Sequence, residues 1–239
     1  LLYLKQSHHK SMIKKHIDYF LTPSENLTQF VSKHFQKEGK TIANPILIEQ
    51  NQHFNTEGNY ILFVGRLVPE KGALTLLKAF QNISKQFPEE QLWIVGDGNQ
   101  REELQNFTEN NKLQNVTFLG NKSREELQEI YANSKFSVVP SEYLEAYGNV
   151  ILESLAFGKT VITSDLVGIK EEIEQNNVGL TYSFKNQEAL EEKMLELLSN
   201  PSLKSELENN IPNYLATKTF AKHFSNLVNV YENLLSRNR

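Results

Sequence analysis

Tyr60-Ile-Leu-Phe-Val64, then Leu74, Leu77, Ala79, Phe80, Ile83 and Phe87 at helical spacing, then Leu92-Trp-Ile-Val95, form the stretch that decides the fold. An apolar run without alternation is the pattern of a strand covered on both faces, and the spacing after it predicts a helix. Pro88 ends that helix, because proline has no N–H to continue the turn. Towards the C-terminus the unit repeats. Val116-Thr-Phe-Leu119 predicts a third strand, Phe136-Ser-Val-Val139 a fourth, Thr160-Val-Ile-Thr163 a fifth and Gly179-Leu-Thr181 a short sixth, with helices near 99–110, 123–133 and 148–157. Strands alternating with single helices predict an α/β fold, a doubly wound parallel sheet of Rossmann-like type over about 59–216. Its ligand belongs at the carboxyl ends of the strands.

The flanks read differently. Residues 1–50 offer a helix, a strand at Asp18–Leu21, a helix at about 24–37 and an extended Thr41–Ile48. That is too little for a sheet with its own core, and the segment is expected to be the tail of a truncated N-terminal domain with its linker. Leu1 is expected to lie inside a longer protein. Residues 217–239 are expected to carry a C-terminal helix, with Phe220, Phe224, Leu227, Val230, Tyr231 and Leu234 on one face.

Composition removes several classes of function. Hydrophobic residues make up 39% of the 239-residue chain, enough for a substantial core. No apolar run reaches the ~18–20 residues that span a bilayer, and no signal peptide is visible. Cysteine is absent, so there is no disulfide or thiolate chemistry, and a cytoplasmic protein is expected. A net charge of −4 gives no reason to expect nucleic acid. Residues 1–40 are locally basic, with Lys5, Lys10, Lys14, Lys15, Lys33, Lys37 and Lys40 against Asp18, Glu25 and Glu38. A solvated helix surface is the plainer account. Peripheral contact with an anionic membrane or an acidic acceptor is the other.

The chemistry concentrates after the fourth strand. Val139-Pro-Ser141 leads through Glu142-Tyr-Leu-Glu145-Ala-Tyr-Gly148 into a helix beginning Asn149-Val-Ile-Leu-Glu153. Gly148 lets a ligand approach the backbone, and the open N–H groups of a helix start, with the helix dipole, suit a phosphate. Asn149 and Glu153 are four apart and share a helix face. A carboxylate there can accept hydrogen bonds from two vicinal hydroxyls, which a ribose offers. After the first strand, Gly65-Arg66-Leu-Val-Pro-Glu-Lys71-Gly72 brings two cations to the same edge. Arg66 can grip phosphate oxygens in pairs, and Lys71 adds a mobile charge. Gly96-Asp97-Gly98 lacks the third glycine of a dinucleotide fingerprint, since Arg101 stands there. It is expected to be a tight turn lining the crevice.

The combination resembles glycosyltransferase family 4, retaining enzymes built from two facing Rossmann-like domains (the GT-B architecture). Three features carry the resemblance: Glu145-Ala-Tyr-Gly-Asn-Val-Ile-Leu-Glu153, with seven residues between its glutamates, the Gly-Arg-Leu…Lys-Gly segment at 65–72, and the Gly-Asp-Gly turn. It covers residue 59 to about 236. Tyr147 stands where Phe is more usual, Thr160 and Lys170 where Pro is common, and Asn99 where Pro is frequent; none of these removes a charge from the site. The resemblance implies the C-terminal, donor-binding half, with Glu153 on the donor ribose and Arg66 and Lys71 on the leaving diphosphate. It further implies Glu145, with the backbone of Ala146, Tyr147 and Gly148, at the transferred sugar. The N–H groups of Asn149 and Val150 would meet the distal phosphate, Gly65 would line the donor site, and the loop Gly120–Lys122 would lie near the base. In the family a histidine reaches the sugar from the N-terminal domain, a role that neither His8 nor His9 can be given.

The reaction so implied is sugar transfer from a nucleoside diphosphate sugar, UDP- or GDP-linked, to a glycan or lipid-linked acceptor, with retention at the anomeric carbon. No cofactor is expected. No metal is expected either, since Asp18, Asp97 and Asp165 are the only aspartates and form no Asp-x-Asp pair. A glycosidase reading of Glu145 and Glu153 fails, because the helix start between them suits a phosphate rather than a scissile glycosidic bond. The remaining alternatives are a non-catalytic nucleotide-sugar-binding module, an inactive fragment, or an NAD-dependent enzyme.

Overall fold

A computed structural model of the chain describes residues 10–46 and 58–237. The described residues cluster as two units: those up to Pro45 together with Lys218 onwards, and Ile46–Thr217. In the larger unit, six parallel strands are β3 (Tyr60–Val64), β4 (Leu92–Val95), β5 (Val116–Gly120), β6 (Ser134–Val139), β7 (Val161–Ser164) and β8 (Gly179–Tyr182). They lie in the order β5-β4-β3-β6-β7-β8. The chain moves outward from β3 to β5, then returns to the far side of β3 with β6, so the order reverses between β3 and β6. Crevices for ligands open at such a reversal, outside the strands' carboxyl ends.

Alternation along each strand explains why the apolar runs are continuous. Ile61 and Phe63 face a core shared with Leu76, Leu77, Phe80 and Ile83 of α3 (Ala73–Gln86), and with Leu190, Met194 and Leu197 of α8 (Gln187–Ser199). Tyr60 and Leu62 face the other layer, with Ile130 and Tyr131 of α5 (Arg124–Ala132) and Phe157 after α6 (Asn149–Ala156). A strand with helices on both faces has no side to leave polar.

The helices begin where their sequence signals stand. Ser123 caps α5 in a reciprocal box with Glu126, satisfying two otherwise open N–H groups. Asn186 caps α8, and Asn200 with Pro201 opens α9 (Pro201–Leu215). α4 (Arg101–Asn110) and α7 (Lys170–Gln175) complete the layers. The helices of 170–215 were not resolved by apolar periodicity, because glutamates and lysines crowd their outer faces.

Lys159, in the turn from α6 to β7, is buried. Burial pulls its pKa down to about 8, opposed by Glu208 and assisted by Lys204, which pair with each other on α9. Between pH 8 and the ordinary lysine value the unfolded chain therefore holds more protons than the folded one. Stability should rise with pH across that window. Denaturant melts from pH 7.5 to 10.5 are expected to give wild type a gain of roughly 2–3 kcal/mol relative to Lys159→Met. Parallel curves for the two proteins would show that Lys159 is not the titrating group.

In the smaller unit, residues 10–16 are helical (α1). β1 (Tyr19–Thr22) pairs in parallel with β2 (Glu38–Thr41), and α2 (Glu25–Phe35) connects them. The second strand thus falls earlier than the expected Thr41–Ile48. Of that segment, residues 42–46 form no strand and 47–48 lie outside the described residues. Gln36 in the left-handed conformation ends α2 sharply, so the chain turns back at Glu38 and reaches register with Tyr19 immediately. This sheet has two strands, with α2 as their crossover.

α10 (Phe220–Arg237) belongs to the same unit, its His223 ring bonded to the Ala43 carbonyl at 2.8 Å. The expected apolar face divides. Val230 is buried, with Leu227 and Leu234 partly covered along the same seam, whereas Phe220, Phe224 and Tyr231 are exposed. His8, His9 and Lys5 lie outside the described residues. No helix among the described residues is long and apolar enough to cross a membrane.

Candidate functional site

The loops after β3 and β6 meet at the reversal of the sheet. Gly72 ends a short 3-10 turn, Pro69–Lys71, with φ 71°. A Cβ there would lie 1.9 Å from the Pro140 carbonyl oxygen, so only glycine lets the two loops touch. Glu142 N donates to the Glu70 carbonyl at 2.8 Å, and Thr75 Oγ1 donates to Glu142 Oε1 at 2.5 Å. Gly72→Ala is expected to lower stability by roughly 2–3 kcal/mol through left-handed strain and this clash. A thermal melt unchanged from wild type would contradict the close approach.

This junction delivers Lys71 to Glu145. Lys71 Nζ donates to Glu145 Oε1 at 2.6 Å, with side-chain exposures of 20% and 9%. Tyr143 lies beside the ammonium, its ring centre 5.2 Å away. Ser141, fully buried, also donates to Glu145 Oε1, and the Ser164 hydroxyl donates to the Ser141 carbonyl at 2.6 Å. The Glu145 N–H donates to the Leu166 carbonyl at 3.0 Å. Glu145 is therefore fixed through its backbone by the loop after β7 and through its carboxylate by Ser141 and Lys71.

Gly148, with φ 100°, is the residue at which α6 begins, and no side chain caps the helix. A Cβ on Gly148 would lie 3.8 Å from Glu145 Oε2, so the carboxylate stands close to the helix start. Ala146 and Asn149 are exposed there, and Val150 is partly covered. The ring of Tyr147 is buried, with Glu172 and Tyr214 near enough to bear on its hydroxyl. That leaves Tyr147 only its backbone to offer a ligand. Gly65 caps the end of β3, its N–H donating to Val95 at 3.0 Å, and Arg66 after it is exposed. Among the described residues its guanidinium has no partner.

Glu153, one turn into α6, is half-buried. Desolvation raises its pKa, while the Tyr131 hydroxyl, donating to Oε2 at 2.9 Å, and the charge of Arg124 hold it down. The site thus contains one carboxylate neutralised by a lysine and a second held by a neutral hydroxyl. The first lies at the helix start and the second beyond it.

The Gly96-Asp97-Gly98 turn is built for packing. A Cβ at Gly96 would lie 1.9 Å from the Gly65 carbonyl oxygen, and one at Gly98 2.3 Å from that of Leu67. Asp97 accepts from the Gly98 N–H and from Arg101, both at 2.8 Å, which hold its carboxyl below the usual range. Gly120 accepts from the Gly96 N–H at 2.8 Å, and Lys122 pairs with Glu126.

Ser141, Ser164, Tyr143 and Tyr131 were not among the residues expected from sequence. Ser141 carried a faint signal, lying four before Glu145 in the same loop. Tyr131 carried none, being on a different helix.

A sequence profile of the family described as glycosyl transferases group 1 matches residues 46–214. The chain belongs to the group 1 glycosyl transferases. An uncharacterized glycosyltransferase of Methanocaldococcus jannaschii is 35% identical over 167 residues, covering 70% of this group 1 chain and 44% of the relative. A Campylobacter jejuni enzyme named as a GalNAc-containing diNAcBac-PP-undecaprenol alpha-1,4-N-acetyl-D-galactosaminyltransferase is 30% identical over 181 residues, covering 74% and 49%. The chain spans about half the length of the curated relatives it matches. Among solved structures, Anabaena HepE in complex with UDP superposes with a TM-score of 0.80 at 17% identity, covering 95% of this chain and 66% of that one. A variant of S. aureus TarM superposes with a TM-score of 0.81 at 22% identity, covering 92% and 45%. These likenesses establish the GT-B Rossmann-like fold.

Proposed function

We propose that this chain is the donor-binding half of a retaining, family-4-type glycosyltransferase that uses a UDP- or GDP-sugar and needs no metal ion. The observation that carries the reading is the Lys71–Glu145 pair at the start of α6, with the exposed Arg66 on the neighbouring loop. A diphosphate arriving there meets two cations and a helix N-terminus, and draws the ammonium away from Glu145 towards the leaving group. Charge that develops on the departing phosphate is stabilised by groups already in position, which is how such a site accelerates transfer. Glu145, freed from part of its pairing, then lies beside the sugar-bearing end with the backbone of residues 146–148. Glu153, further along α6, takes the ribose.

Retention rests on the family-4 resemblance of the 145–153 and 65–72 segments. UDP in the HepE complex and the lipid-linked acceptor in the name of the C. jejuni enzyme support a nucleotide-sugar donor and a glycan or lipid-linked acceptor. We read the protein as cytoplasmic, with Lys10, Lys14 and Lys15 of the basic segment available to an anionic membrane face. The length relative to its relatives supports a second reading, donor binding without turnover by this chain alone.

The test is a ligand screen by calorimetry or NMR with UDP-, GDP- and ADP-sugars and NAD. Binding of one sugar nucleotide with chemical-shift changes at residues 145–153 and 66–71 supports the reading. A folded sample that binds none of them, or only NAD, overturns it. Transfer assays on the same sample separate an enzyme from a binding module.

A further inference from the structure

Tyr131 lies in the last turn of α5, buried, with its ring stacked 5.8 Å from Phe157 at an interplanar angle of 7°. Its hydroxyl donates to Glu153 Oε2 at 2.9 Å. Phe157, the residue that ends α6, follows Glu153 by four positions, about one turn. The tyrosine therefore runs alongside α6, its ring held by one residue and its hydroxyl reaching the other. Its own end of the helix is fixed as well, because Ser134 Oγ donates to the Tyr131 carbonyl at 2.9 Å. The result is a rigid donor aimed at one oxygen of a half-buried carboxylate.

We propose that Tyr131 is a positioning residue that sets how Glu153 meets a ribose, and so makes the protein select ribonucleotides over 2′-deoxyribonucleotides. The inference rests on the reading of Glu153 as the ribose ligand. A free glutamate side chain has three torsions to order on binding, and ordering them costs affinity. Tyr131 removes that cost beforehand. A carboxylate offers about four acceptor positions; the tyrosine takes one on Oε2, and the others face two vicinal hydroxyls together. A ligand lacking the 2′-hydroxyl leaves one of these acceptors desolvated and unmatched, which is the condition for strong discrimination. The hydroxyl also favours the ionised carboxylate in a place where desolvation opposes it, keeping Glu153 an acceptor.

The experiment measures dissociation constants of the full chain for UDP, GDP and ADP and for their 2′-deoxy counterparts, across pH 4.5–8, in wild type, Tyr131→Phe and Glu153→Ala. Tyr131→Phe is expected to weaken binding of the preferred ribonucleotide about five- to twentyfold and the deoxy form much less, so the ratio between them collapses. The pH midpoint for binding should move upwards, since the donor that favours ionised Glu153 is gone. An unchanged ratio and midpoint in Tyr131→Phe, beside a collapsed ratio in Glu153→Ala, overturns the proposal and leaves the ribose reading intact. An unchanged ratio in both overturns the ribose reading and this proposal with it. Equal loss for both nucleotides with a fixed midpoint assigns Tyr131 to packing alone and also overturns the proposal. If Tyr131→Phe melts well below wild type, 3-fluorotyrosine at position 131 replaces it. That residue keeps the packing and acidifies the hydroxyl, and the midpoint should then move downwards; a fixed midpoint is the overturning result.

Discussion

Lys71→Ala is expected to reduce sugar transfer by about two to three orders of magnitude, the usual consequence of losing one preorganised group at the site of developing charge. The substitution acts twice. It removes a cation from the leaving diphosphate, and it takes the lysine from Glu145, whose side chain is 9% exposed and also accepts from Ser141. Uncompensated charge in such a place is costly, so some loss of thermal stability should accompany the kinetic loss. Glu145→Gln in the same background separates the two effects, because it removes the stranded charge while leaving the diphosphate without its lysine. The double variant should regain stability and not activity. Affinity for UDP against uridine gives a check that needs no acceptor: the diphosphate's contribution should shrink in Lys71→Ala, whereas uridine binding should stay near wild type. Equal loss for both ligands would remove Lys71 from the diphosphate.

Glu153→Ala should weaken nucleotide-sugar binding by roughly ten- to a hundredfold, or about 1.5–3 kcal/mol, the range for hydrogen bonds to a charged group. Unlike Lys71, Glu153 pairs with a neutral hydroxyl, and desolvation raises its pKa in the folded protein. Between the unfolded and folded values the folded state holds the extra proton, so stability contributed here falls as pH rises through that window. Removing the carboxylate should therefore do little harm to the fold at neutral pH, and a calorimetric Kd with an unaltered melt is the expected pair of results. Affinity in wild type should also fall on acidification above the ordinary glutamate range, and Glu153→Ala should lack that limb. A variant that binds the nucleotide sugar as wild type does would remove Glu153 from the ribose.

Much of this molecule is legible in local pattern. Tyr60–Val64 has the pattern of a two-sided strand, the β3 to β8 alternation follows from repeated short apolar runs, and Gly148 followed by Asn149–Glu153 announces a helix start suited to a phosphate. Chemistry and spacing point to Arg66, Lys71 and Glu153, the family resemblance adds Glu145, and the structure brings Lys71 and Glu145 into contact. The smaller elements were less legible. The strand at Glu38–Thr41 contains a glutamate, a glycine and a lysine, and its extension is set by pairing with Tyr19–Thr22 rather than by its own residues. Helices rich in glutamate, such as α7 and α8, hide a narrow apolar stripe among charges.

The sequence by itself determined the alternating architecture and the two charged loops, because strand and helix periods and glycine's steric freedom act over a few residues. Only the tertiary structure decided that the order reverses between β3 and β6, so that loops more than seventy residues apart share one crevice. It also decided that Tyr131 holds Glu153, that Tyr147 turns its ring inward, and that Asp97 is spent on Gly98 and Arg101. Those facts depend on which helix is packed beside which strand. No local period records that choice, since it is made by burying all the apolar faces at once.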